Sequence, residues 1–292
     1  MPFIEILKLI APVIIIALAG FVFRRYRKIE PKTLADLIIY LGSPCLVLTQ
    51  LSTQRMELGE ISAIALSAIF VILAIGLITY FVSRSFKLAL PISLYLPIMF
   101  MNSGFIGFPL AFFAYGKPGL NYAIIYDAAN AILLFTLGIY IISKEKGRLQ
   151  FLKIPFIYAA ALGLFFSFTG IKLPSYIFSP LSLLGSTVIP LALFMLGCHL
   201  AEARIYSWKL PLIASLMRLG FGLLLGLIAA FLFGLHGTAA KIVILLSSLS
   251  SAISNVAIAD EYDRDPELVA STIALSTLLS VLVILIVFKW II

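Results

Sequence analysis

Charge is scarce in this chain. Only 12% of its 292 residues are Asp, Glu, Lys or Arg, while 62% are hydrophobic and the mean hydropathy is +1.15. A soluble domain has no core large enough to hide that much apolar surface, so soluble globular classes are excluded. Cysteine is almost missing. Cys45 and Cys198 are lone thiols in apolar runs, which fits small buried hydrophobes and speaks against a disulfide or a zinc site. His199 falls near an expected helix end and His236 in a turn, so no metal is expected at either. Trp208 and Trp290 fall at expected helix ends, where indoles anchor at the membrane interface.

What the chain has in quantity is apolar length. Runs close to the ~20 residues that cross ~30 Å of hydrocarbon recur from end to end. Reading outward from the polar breaks places ten transmembrane helices near 3–23, 34–53, 59–82, 92–115, 119–142, 155–171, 176–201, 209–234, 238–259 and 267–290. The fold class is an all-α polytopic membrane protein whose partner is the lipid bilayer. The first span has no basic region ahead of it, and Arg24-Arg25-Tyr26-Arg27-Lys28 follows it, the pattern of a retained helix rather than a cleaved signal. Connections after odd-numbered spans hold 14 of the 21 Lys and Arg, and five, Arg55, Lys117, Lys172, Lys241 and Lys289, remain for the other side. By the positive-inside rule the odd connections are cytoplasmic and both termini face outward from the cell membrane. The net charge of +8 therefore reports topology and not nucleic-acid binding.

Two spans carry the wrong residues for a plain membrane helix. Asn102-Ser103-Gly104-Phe105-Ile106-Gly107-Phe108-Pro109-Leu110 sets two glycines, a proline and an asparagine inside the fourth span. Proline removes a backbone donor and glycine weakens the helix, and lipid satisfies none of the groups so freed. The ninth span holds five serines and Asn255 between Leu245 and Ala259. Serines alone also back-bond to their own helix or glue helices together, so this stretch gains weight only beside the first. The chain also repeats itself. Pro44 and Pro190, Tyr115 and Tyr262, and Pro118 and Pro266 recur at about half the chain length. Two halves, 1–146 and 147–292, follow, each of five helices, and an odd number inverts the second. Inverted repeats with broken fourth and ninth helices place a substrate near the midplane. Helix N-termini there favour an anion, and a small carboxylate is the natural guest. Asn102 and Asn255 are expected to donate to it, with Ser251 nearby and with Gly104, Gly107 and Pro109 holding the backbone open. Pro44 and Pro190 are expected to shape the facing wall.

Three further residues at membrane depth need an account. Asp127 lies about seven residues into the fifth span, ~10 Å deep, with Asn130 on the same face. Arg218, about nine residues into the eighth span, is ~13 Å deep and long enough to meet the acid. Asp127 and Arg218 are either a structural ion pair, or Asp127 with Asn130 holds a coupling proton or sodium ion, or the substrate touches one of them. Arginine also offers a fork that suits a carboxylate. Lys8 is read as a snorkelling side chain.

On these residues the chain resembles the auxin efflux carrier family, which includes plant carriers and bacterial malate or malonate permeases. Asn102 followed by Pro109-Leu110 resembles the family's first crossover, and Ala259-Asp260-Glu261-Tyr262-Asp263-Arg264-Asp265-Pro266 resembles the segment after its second. Leu41-Gly42-Ser43-Pro44, Leu196-Gly197 and Arg218 fall where the family has similar residues, and the likeness runs end to end. The resemblance implies a sodium–proton-antiporter-like fold. Scaffold helices at about 3–53 and 155–201, often a homodimer interface, would flank a mobile transport domain at about 59–142 and 209–290. It implies elevator-type secondary transport of a small organic anion such as malonate, malate or an auxin-like acid, with no cofactor. Two departures resemble prokaryotic members: Asn255 stands where plant carriers have proline, so a gentler break is expected there, and only Ser143 to Lys153 separates the halves. Two other readings stay open. A sodium-coupled symporter of the bile-acid type would use the serine stretch and Asn130 as oxygen ligands. An intramembrane prenyltransferase-like enzyme would use Asp260, Asp263 and Asp265, but it generally needs a second acid cluster that the chain lacks. A channel suits inverted halves less well than alternating access.

Overall fold

The computed structural model describes residues 3–27, 30–53, 57–86, 88, 90–143, 155–202 and 205–291. It is helical throughout, and no strand longer than a single bridge occurs among the described residues. In chain order the helices are α1 (Phe3–Tyr26), α2 (Lys32–Thr53), α3 (Leu58–Ser85), a short α4 (Tyr95–Met99) and α5 (Ser103–Ser143). They continue with α6 (Pro155–Thr169), α7 (Ser175–Glu202), α8 (Lys209–Leu232), α9 (Gly237–Ser247), α10 (Ser254–Glu261) and α11 (Pro266–Lys289). By length and hydropathy α2, α3, α5, α7, α8 and α11 are able to cross a membrane, while α6 and α9 are apolar but shorter. The 28 residues of α3 would run ~42 Å, more than the hydrocarbon is thick, so it is long enough to span with some tilt.

The irregularities fall where the sequence puts its helix breakers. In α2 a wide π turn, Leu37–Gly42, precedes Pro44, and it loosens the ladder where the proline ring would meet a carbonyl four residues back. α5 bends at Gly116, whose φ of 64° lies in the left-handed region that glycine alone enters without strain. Gly116 thus divides α5 into two helices, and the division falls between the spans expected at 92–115 and 119–142. The segment 144–153, expected to separate two halves, lies outside the described residues.

Two groups of helices emerge from the packing. α1 lies along the second half of α7, and α2 along α6 and the first half of α7. The α1–α7 contact is backbone to backbone: a Cβ on Gly20 would overlap the Phe194 carbonyl, and one on Gly197 the Ala17 carbonyl. Such close approach through small residues is how helices associate where water gives no hydrophobic drive. In the second group α3 packs on α5 and α8, α8 on α9 and α11, and α10 on α11. α5 touches both groups. Outward-facing Ile15, Leu18, Leu77, Leu224, Phe231 and Leu282 are exposed where a soluble protein would carry charge. Contacts between helix ends fix which connections share an edge. Arg24 bonds Glu202, Ser93 Oγ donates to Asp265 Oδ2 at 3.2 Å, and the Tyr206 amide meets Ser271 Oγ. At the other edge Tyr122 donates to Glu60 at 3.0 Å. Lys8 is exposed and both cysteines are buried and free.

Gly197→Val should lower the detergent-solubilised melting temperature markedly. Forcing side-chain atoms into a filled backbone contact costs roughly 1–3 kcal/mol or more. A thermal-shift assay with an unmoved transition would contradict this packing.

Candidate functional site: two paired helix breaks

The chain leaves α4 after Met99, turns extended at Phe100, and re-enters a helix at Ser103. It breaks again between Ser247 and Ser254. The two breaks lie against each other. Met101 and Ser251 form an antiparallel bridge, the Asn102 amide donates to the Ser250 carbonyl at 2.8 Å, and the Ala252 amide donates to the Phe100 carbonyl at 3.0 Å. Backbone that no longer bonds within its own helix thereby bonds across to the other break. The gentler interruption expected at Asn255 is not what forms: α9 and α10 are separate helices with six residues between them.

α4 and α9 still end in carbonyls that need donors. The guanidinium of Arg218, 0% exposed, supplies several. Its Nη1 donates to Ile98 and Met99 carbonyls at 3.3 and 3.0 Å, and its Nη2 donates to the Ser247 carbonyl. One cation thus sits at the C-terminal ends of both helices, where the partial negative charge of each is concentrated. Asn255 Nδ2 donates to the carbonyls of Leu96 and Phe100 at 3.3 and 3.4 Å, and Ser251 Oγ to that of Pro97 at 2.6 Å. Ser247 Oγ meets the buried Tyr126 hydroxyl at 2.8 Å. From α11, Ser276 and Thr277 bond the hydroxyls of Ser251 and Ser250.

At the start of α5 the signs reverse. Asn102 Oδ1 accepts from the Phe105 amide at 3.2 Å and so caps the helix. Its Nδ2 is buried with no partner, although the residue is only 2% exposed. Asp127 accepts from Ser103 Oγ at 2.6 Å. Asn130 Nδ2 donates to the Met101 carbonyl and to Ser103 Oγ, both at 3.1 Å, and its Oδ1 is buried without a partner. Gly104 faces Asp127, and Gly107 lets Leu246 and Leu249 close on the first turn of α5. Gly104, Gly107 and the buried Pro109, expected to hold the backbone open, instead lie inside α5, in a π turn at Ser103–Gly107 and the α-helix from Phe108. The open backbone is just ahead of them at 100–102. Pro44 is half-buried in α2 and Pro190 is exposed on α7.

Three expectations therefore change. Asp127 and Arg218 form no ion pair: the arginine is held by carbonyls and the acid by Ser103. Asn255 is not free to donate to a ligand, because its amide hydrogens are taken by the end of α4. Ser251 likewise serves that helix end. The physical reason is common to all three, since in lipid the stranded carbonyls outrank any ligand for nearby donors. Ser103, Tyr126 and the α11 hydroxyls were not singled out from the sequence. Ser103 sits beside Asn102 and was visible there, but partners that are backbone carbonyls leave no trace in residue identity. Among the described residues no three acids, histidines or cysteines are placed to hold a metal ion.

Apolar helices packed around a buried polar break define an α-helical, multi-pass membrane protein. The family described as membrane transport protein matches residues 5–154 and 145–288. An uncharacterized transporter of Methanocaldococcus jannaschii is 28% identical over 290 residues, covering 93% of this chain and 94% of that one. Another, from Methanothermobacter thermautotrophicus, is 28% identical over 291 residues, 92% of each. The chain belongs to this membrane transport protein family, the auxin efflux carrier family that its break residues resemble. A transporter family sets the prenyltransferase-like reading aside.

If Arg218 clamps carbonyls and does not pair with Asp127, neutralising the acid does not relieve the loss of the arginine. Arg218→Gln should cost roughly 3–5 kcal/mol by stripping a buried polar network. Adding Asp127→Asn should leave that loss of melting temperature unrelieved. Rescue of one variant by the other would reinstate the ion pair.

Proposed function

We propose that the protein is a secondary active transporter of a small organic anion, a carboxylate, carried in alternating access by an elevator-type motion. The observation that carries the proposal is Asn102. Its amide nitrogen is buried, unpartnered, and held at the start of α5 by a cap that uses the other amide atom. An unsatisfied donor in such a place is costly unless something fills it. A carboxylate accepts from that donor and is favoured by the helix pole beside it. Family membership supports transport as the class of activity.

The reading extends to architecture. Taking α4 with the first part of α5, and α9 with α10, as single interrupted crossings gives ten spans in two inverted halves. The pairing of α1 with α7 and of α2 with α6 supports it, because an inverted two-fold exchanges those pairs. The same contacts support a scaffold of α1, α2, α6 and α7 beside a transport group carrying both breaks. Pro44 and Pro190 then belong to the scaffold side. Both termini lie outside, and a second copy docks through the scaffold. The serines of the second break already bond protein groups, which leaves the unpartnered Oδ1 of Asn130 as the observation on the side of the sodium-symporter reading.

The test separates cap from donor. Asn102→Ser keeps a side-chain acceptor for the Phe105 amide but lacks the free N–H. Reconstituted into proteoliposomes with malonate, malate and indole-3-acetate, with and without sodium, it should retain its fold. It should also lose at least ~10-fold in uptake, the ~1.4 kcal/mol of one charge-assisted hydrogen bond. Normal uptake by folded Asn102→Ser would sink the assignment, and sodium-dependent uptake would revive the symporter.

A further inference from the structure

Asp127 places a negative charge on the same helix pole that the proposed carboxylate would use. Ser103, its hydrogen-bond donor at 2.6 Å, is the neighbour of Asn102 in the chain. Nothing separates the acid from the first turn of α5, since a Cβ on Gly104 would lie 3.4 and 3.6 Å from its two oxygens. Asn130 braces the arrangement one turn further along by donating to Ser103 Oγ and to the Met101 carbonyl. No described cation offsets the charge: Arg218, the other ionisable group buried at the breaks, gives its hydrogens to Ile98, Met99 and Ser247. Among the described residues the one salt bridge is Arg24 with Glu202, at the helix ends.

We propose that Asp127 is a charge filter that restricts the site to carboxylates carrying a single negative charge. This rests on the carboxylate reading of the previous subsection and narrows its substrate class. The first charge of an incoming anion is met by Asn102 Nδ2 and the helix pole. The other unpartnered buried donor at the breaks is Arg218 Nε, on the guanidinium held at the ends of α4 and α9, so a second charge at the start of α5 meets Asp127 in the buried interior. Repulsion between like charges is strong there and is only weakly screened by salt. The class of substrate that fits is a monoanionic carboxylate with an uncharged body. Asp127 acts here as a specificity-determining residue.

Succinate and its monomethyl ester differ by one charge and little in shape, which makes them the probe pair. The full chain in proteoliposomes at neutral pH would be assayed for KM with each, in the wild type, Asp127→Asn and Asp127→Glu, with and without sodium. The wild type should favour the monoester by about tenfold or more in KM, the size of one like-charge contact in a partly dry site. Asp127→Asn should bring the KM ratio towards unity, and Asp127→Glu should keep it. A wild type that prefers succinate, in either salt, overturns the filter, whatever the variants do. An unchanged ratio in Asp127→Asn overturns it as well, and transport of both probes would then leave the carboxylate reading intact. Transport of neither probe by folded wild type would overturn the carboxylate reading and the filter together.

Discussion

The carbonyl groups stranded where α4 and α9 end must find donors inside the protein, because hydrocarbon offers none. Arg218 meets that demand for both helices at once. A buried guanidinium is expensive on its own, and it is tolerated because three carbonyls and two helix dipoles surround it. Much else is arranged around this contact. Asn255 and Ser251 complete the end of α4, Tyr126 reaches Ser247 from α5, and the two extended breaks pair with each other. The result is a polar knot that ties α4, α5, α8 and α9 through groups that would be hard to separate without exposing backbone to lipid.

That knot leaves four buried polar atoms over: Arg218 Nε, Asn255 Oδ1, Asn130 Oδ1 and Asn102 Nδ2. Asn102 serves the helix with its oxygen and faces inward with a nitrogen that bonds nothing in the protein. The asymmetry is informative. At the C-terminal ends of α4 and α9 side chains of the protein meet the stranded carbonyls, whereas at the N-terminal end of α5 it has supplied an acid beside an idle donor. A ligand site is most economically sought where the internal satisfaction is incomplete.

Much of this was legible in the chain. Residues 102–110 and 245–259 read as breaks because proline, glycine and serine fail in lipid-facing helices. The chain does break close to these stretches, at 100–102 and 248–253, while Gly104, Gly107 and Pro109 lie in the helix that follows. The irregularities before Pro44 and at Gly116 were not read from the chain, although proline and glycine cause them too. The partners of Arg218 were not legible. An arginine deep in a span invites the nearest acid, and Asp127 was within reach by helix rise alone. Carbonyls, however, belong to every residue and carry no signature, so the stronger demand was invisible in the sequence. Asn255 misled in a similar way: its amide type was right for recognition, but the end of α4 claimed it first.

The division between the knotted group and the α1–α7 and α2–α6 pairs is what makes transport by sliding physically reasonable, since the stranded carbonyls of both breaks are met from within the knotted group. Distance measurement between spin labels tests this most directly. With Cys45 and Cys198 replaced, labels on the exposed positions Leu18 of α1 and Leu224 of α8 report between groups, and Leu77 of α3 with Leu224 reports within one. Addition of a transported carboxylate should shift or broaden the Leu18–Leu224 distribution and leave Leu77–Leu224 fixed. A fixed first pair, or movement within the second, would contradict a knot that moves as one body.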